Sequence, residues 1–134
     1  MNITDDTGAG ISLFKAEIQR AHELMEMVRK LAPNECAFII IDEIFTGTSP
    51  DKAEELSHKF IKQLSEFPNV LFVNATHFKK LTGLEQETNG RCKNYHMSVV
   101  IDDTGKVIKY NYTLAHGPSP VNNASQIAQE EGIF

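Results

Sequence analysis

No apolar stretch in this chain approaches the ~20 residues needed to cross a bilayer. Nor does a basic segment followed by an apolar one open it, so neither a membrane partner nor a secretory signal is expected. Basic runs are equally scarce. Against 18 Asp and Glu the chain sets 13 Lys and Arg, for a net charge of −5 and a pI near 5.5. Clustered cations that neutralise phosphates are missing, so this chain is not expected to grip nucleic acid by itself. Only two cysteines occur, Cys36 and Cys92, far apart in sequence. Reduced thiols in a cytoplasmic protein are the expectation, with a single disulfide the alternative. On that reading the N-x-S/T triplets at Asn2, Asn74, Asn111 and Asn123 carry no meaning. Also missing is any G-x-x-x-x-G-K-[ST] motif: Thr7-Gly8-Ala9-Gly10 lacks the Lys of a phosphate-cradling loop.

What is present begins with an ordinary composition. At 41% hydrophobic and 23% charged, the 134 residues can bury a core, which excludes a disordered chain and fits one domain. The densest signal is Phe38-Ile39-Ile40-Ile41-Asp42-Glu43, followed at once by Ile44-Phe45-Thr46-Gly47-Thr48-Ser49. Four large apolar residues in a row predict a strand buried on both faces, as in parallel sheets. Ligands of open α/β sheets collect at the carboxyl ends of strands, where Asp42 and Glu43 lie. An ordinary strand with an acidic exit is the plainer alternative.

Around this strand, residues 1–11 read as a loop and Ser12 to Leu31 as an amphipathic helix, with Ser12 a plausible N-cap. Its apolar stripe is Phe14, Ile18, Ala21, Met25 and Val28, and Met25 and Met27 read as packing residues. Pro50 opens a second helix with the stripe Ala53, Leu56, Phe60, Ile61 and Leu64. A second buried strand, Val70 to Val73, ends at Asn74-Ala75-Thr76-His77. Strand, helix and strand with short links predict a parallel βαβ unit. A short helix and polar loop over 78–92 follow. Residues 95–101 and 106–114 alternate around Asp102-Asp103-Thr104-Gly105, which predicts a hairpin. A final helix over 122–131 is capped by Asn122 or Asn123 and stopped by Gly132. His22, His58, His96 and His116 lack metal-ligand spacing and read as structural.

Four segments taken together resemble the C-terminal half of the ATPase domain of the MutS family of DNA mismatch-repair proteins. Ile11-Ser12-Leu13-Phe14-Lys15-Ala16-Glu17 is similar to the signature S-T-F-M-x-E at Ser12, Phe14 and Glu17, though not at Leu13 and Lys15. Ile41-Asp42-Glu43-Ile44-Phe45-Thr46-Gly47-Thr48-Ser49 is close to L-D-E-x-x-x-G-T-S. Ala75-Thr76-His77-Phe78 matches A-T-H-[YF], and Asn94-Tyr95-His96-Met97 resembles N-x-H-[LM]. Order and spacing agree over nearly the whole chain, 1–134.

The resemblance implies an α/β fold: part of an ABC-type P-loop NTPase, with a parallel βαβ core, a C-terminal antiparallel hairpin and helices. It implies ATP and Mg²⁺ as ligands and composite sites in a homodimer. Mismatched or branched DNA would be bound by upstream domains, and the Walker A half would also lie elsewhere. Asp42 would hold Mg²⁺, Glu43 would activate water, and His77 would sense the γ-phosphate. Ser12 would cap the γ-phosphate of the opposite subunit's ATP, and Thr48 and Ser49 would form the loop crossing the interface. Two departures stand out: Pro50-Asp51-Lys52 replaces T-x-D-G, and Asn122-Asn123-Ala124 replaces S-Y-G. They leave room for a MutS-related paralogue acting in recombination control or ribosome rescue. A non-catalytic dimerisation scaffold and a hydrolase using Asp42, Glu43 and His77 directly as metal ligands are the other readings. Without its Walker A partner strand, the sheet is expected to expose an apolar edge.

Overall fold

A computed structural model describes residues 7–121 and 124–132. The chain is a mixed α/β protein with one parallel and one antiparallel strand pair, divided into two compact units at Cys92–Lys93. The first unit runs α1 (Thr7–Arg29), β1 (Ala37–Asp42), α2 (Pro50–Leu64), β2 (Val70–Ala75), a 3-10 turn (Lys79–Gly83) and α3 (Leu84–Glu87). β1 and β2 pair in parallel, Ala37 opposite Val70 through to Asp42 opposite Ala75, so both strands end at the same level. The expected βαβ unit is there.

One face of this pair is covered. Ile39 and Ile41 pack with Ala21, Met25 and Val28 of α1 and with Ala53, Phe60, Ile61 and Leu64 of α2 in a single cluster. The stripes predicted for both helices supply it. Leu56 and Phe14 pack at its margin, while Ile18 is largely exposed and Met27 more so. The expectation of strands buried on both faces is not met. Successive strand side chains point to opposite faces, and Phe38, Ile40, Leu71 and Val73 are 56–73% exposed. Both helices supply side chains to the same cluster, and among the described residues nothing covers the other face.

A second correction concerns α1. It begins at Thr7, so Ser12 lies inside the helix and is not its N-cap. Once a helix is nucleated each further residue costs little, so Gly8 and Gly10, at about 1 kcal/mol each relative to Ala, do not end it.

The second unit is the hairpin β3 (Tyr95–Ile101) and β4 (Val107–His116), followed by α4 (Ala124–Glu130). Asp102 Oδ1 accepts hydrogen bonds from the Thr104 amide (2.9 Å), the Thr104 hydroxyl (2.6 Å) and the Lys106 amide (2.9 Å). Gly105 supplies the left-handed conformation that closes the turn, φ +84°. His96 Nδ1 donates to the Gly117 carbonyl at 2.9 Å, a structural role as expected. Gly132 stands at φ +72° just beyond α4, whereas the proposed caps Asn122 and Asn123 fall outside the described residues. No helix among the described residues is long and apolar enough to cross a membrane.

Candidate functional site

The site is the turn that leaves β1. Asp42 is the last strand residue; it shares the uncovered face with Phe38 and Ile40, and its side chain is exposed. At Glu43 the backbone enters the left-handed region, φ +46°, and Phe45 does so again at φ +64°. Neither is Gly, and such conformations cost of order 1–3 kcal/mol each, persisting only where the surroundings over-determine them.

Here the surroundings do so from every side. The Glu43 amide donates to the Ala75 carbonyl at 3.1 Å, extending the register of β1 against β2. Ser57 of α2, itself buried, donates its hydroxyl to the Ile44 carbonyl at 3.2 Å. The Phe45 side chain is 3% exposed and meets Phe60 edge to face, ring centroids 6.0 Å apart. From α1, Glu17 reaches the end of the turn. Its Oε1 accepts from both the amide and the hydroxyl of Thr46 at 2.9 Å, and its Oε2 accepts from the Gly47 amide at 2.9 Å. A Cβ on Gly47 would stand 2.7 Å from the Phe14 backbone nitrogen, so only glycine lets the turn lie this close to α1.

So held, Glu43 points its carboxylate at His77, which follows β2: Oε1 to Nδ1 is 2.8 Å. A carboxylate oxygen can only accept, so in this contact Nδ1 is the donor. Both side chains stay accessible, 45% for Glu43 and 68% for His77, so the pair is open to a ligand. Next to His77, Phe78 packs its ring at 4.6 Å between centroids.

Two of the six residues singled out from sequence, Glu43 and His77, are thus in direct contact, and Asp42 is adjacent to Glu43. Thr48 is half-buried beyond the turn. Ser49 is the N-cap residue of α2 in extended conformation, but its side chain makes no cap hydrogen bond. Ser12 is exposed on α1, without a described contact to the pair. What sequence reasoning missed is the work of Glu17, present in the signature stretch but assigned no task there. The only clue was its fixed spacing from Ser12 and Phe14. Two further histidines make structural contacts: His58 Nε2 meets Glu87 at 2.9 Å and His116 packs on Tyr95. Both cysteines are free thiols. Among the described residues no three His, Cys, Asp or Glu side chains gather as a metal centre.

A family model described as MutS domain V matches residues 1–133. The DNA mismatch repair protein MutS of Persephonella marina is 32% identical over 127 residues, 94% of this chain and 14% of that protein. MutS of Aquifex pyrophilus is 30% identical over 129 residues, 96% of this chain and 14% of that protein. The DNA mismatch repair protein MSH3 of Phaeosphaeria nodorum is 27% identical over 119 residues, 89% of this chain and 10% of that protein. The chain therefore spans about a seventh or less of the length of these relatives. It belongs to the MutS family, in which it corresponds to domain V.

Proposed function

We propose that this chain is the part of a MutS-family DNA mismatch-repair protein that completes an ATP-hydrolysing site. The carrying observation is the 2.8 Å contact between Glu43 and His77 at the carboxyl ends of two parallel strands. It is the arrangement a P-loop NTPase core needs for its water-activating acid, which supports an ABC-type fold for the complete domain.

The donor set fits Mg²⁺ brought in on nucleotide phosphates. That ion usually takes one or two carboxylates and lets phosphates and water fill the remaining positions. Asp42, exposed at the strand end, is the carboxylate that would hold it. Bound Mg-ATP supplies the phosphoryl group to be transferred to water. Glu43 orients that water and takes its proton. His77 fixes the Glu43 carboxylate through Nδ1 and keeps Nε2 for the nucleotide side. Ser12 and the Thr48-Ser49 loop serve the partner's nucleotide across a homodimer, so a single chain makes no complete site. Because such catalysis is positioning plus electrostatic stabilisation, the over-determined turn is part of the chemistry. Mismatched DNA is bound by other parts of the protein, a division that the chain's acidic balance favours. The named relatives, all mismatch-repair proteins, favour this role over recombination control or ribosome rescue.

The test is ATP binding and hydrolysis by the protein at its full natural length, with Glu43→Gln alongside. Gln keeps the size and one acceptor but cannot take a proton. Binding should survive while the turnover rate falls about 10²-fold or more. A wild type that neither binds nor hydrolyses ATP would leave a dimerisation scaffold and sink the proposal.

A further inference from the structure

The strained acidic turn is tied at its far end to a helix that is neither of its sequence neighbours. Glu17 of α1 commits both carboxylate oxygens to Thr46 and Gly47. Charge-assisted bonds to two backbone amides and a hydroxyl are of the stronger kind and fix direction as well as distance. Gly47 simultaneously rests on the Phe14 backbone, one helical turn away from Glu17, so the turn is seated on α1 at two points. Between this seat and Glu43 lie only Ile44 and Phe45. Slack in that stretch is small: Phe45 is buried, and the Ile44 carbonyl is held by Ser57.

From this geometry we infer that Glu17 is a positioning residue: its grip on Thr46 and Gly47 transmits the position of α1 into the direction of the Glu43 carboxylate. The inference rests on the ATPase reading above and adds a route by which one part of the site controls another. α1 also carries Ser12, which in that reading meets the nucleotide of the opposite subunit. A displacement of α1 on nucleotide engagement there pulls Thr46 and Gly47 with it. Since Glu43 and Phe45 already occupy a costly backbone region, a small pull is enough to change how the turn sits. Released from α1, the turn relaxes and Glu43 loses its alignment with His77. Hydrolysis at one site thereby depends on occupation of the other through a hydrogen-bonded carboxylate rather than through the sheet.

Glu17→Gln in the full-length protein tests this. Gln offers one acceptor oxygen and an NH₂ group that cannot accept from Gly47. The turnover number should fall about 10- to 100-fold, the cost of a misplaced reacting group, with KM for ATP changed less than about 2-fold. Amide hydrogen exchange at Thr46 and Gly47 should quicken, while exchange in β1 stays as in the wild type. Thr46→Val, which removes only the hydroxyl bond and leaves both amides paired, should fall between wild type and Glu17→Gln in turnover. Full turnover in both variants overturns the positioning role and leaves the ATPase reading intact. Loss of protection throughout β1 and α2 in Glu17→Gln, with Thr46→Val fully active, makes Glu17 a structural anchor only and likewise overturns it. No turnover in the wild type sinks the ATPase reading itself, and the positioning role with it, whatever the exchange rates show.

Discussion

The two units of the chain hold themselves together by different means. In residues 7–92, side chains from two helices and two strands meet in one apolar cluster, with Val28, Phe60, Ile61 and Leu64 each 8% exposed or less. In residues 93–132, Val107 is the buried hydrophobic side chain among those described, while Tyr112 and Leu114 are 81% and 70% exposed. There the order is local: a strand ladder and a turn centred on Asp102, closed by the left-handed Gly105. The difference explains where the acids sit. A turn with two non-glycine residues in the left-handed region survives only where packing fixes its neighbours from several sides. Phe45, locked against Phe60, and Ser57, buried beneath Ile44, do this for Glu43. The hairpin carries one non-glycine residue of this kind, Tyr112 at φ +54°, in the irregular stretch between the Met97–Leu114 and Val99–Tyr110 pairs, and its side chain is exposed rather than locked.

The contrast breaks most easily at Leu64, whose side chain is fully buried. Leu64→Ala should cost about 2–5 kcal/mol, the range for truncating a buried leucine. Leu114→Ala in the exposed part of β4 should stay within about 0.5 kcal/mol. Denaturant melts of the two variants measure the difference directly. Equal losses would mean that packing, not the turn, carries the hairpin. A smaller effect is expected at Gly105, where φ is +84° and a Cβ would meet nothing within 4 Å. Gly105→Ala therefore meets no steric obstacle and pays only for its backbone, about 1–2 kcal/mol. Amide exchange should quicken across β3 and β4 and stay unchanged at Ile39 and Ile41. Quicker exchange at those two strand residues as well would show that the units share their stability.

Much of this was legible in the sequence. Pro50 fixed the start of α2, the apolar runs gave β1 and β2, and Asp102 to Gly105 announced the hairpin, because each signal is local. The contact between Glu43 and His77 was also within reach, since parallel strands of equal length end side by side. Other features were not legible. A run of apolar residues says that a strand is sticky, not which face is covered, so Phe38 and Ile40 were expected inside. Left-handed backbone at Glu43 and Phe45 has no signal, because Gly and Asn, its usual markers, are missing there. Nor does a helical stripe reveal that Glu17 reaches across to Thr46 and Gly47, about thirty residues on. Such a bond is set by how the helix lies on the sheet, which no short window contains.

Acid sharpens the comparison with the least disturbance, because both units have carboxyl groups held below their ordinary range: Glu26, Glu55 and Glu87 in the first, Asp102 in the second. For Glu87 the first cause is the hydrogen bond from Lys62, then that from His58. For Asp102 it is the Thr104 hydroxyl, then the Lys106 amide. A lowered folded value means that the ionised form is favoured by folding. The stabilisation is complete above the unfolded values, about 4.3 for Glu and about 3.9 for Asp. It is lost as the pH falls through the lower folded values. In an NMR titration the Thr104 and Lys106 amides should move together with a midpoint below that of free Asp, and Asp102→Asn should abolish the movement. A midpoint at the ordinary Asp value would mean that the turn does not depend on the ionised side chain. Protonating Glu87 releases Lys62 and His58 but leaves Leu64 and Leu84 in the core. The same acid should therefore loosen the hairpin's turn while the apolar cluster around Leu64 stays packed.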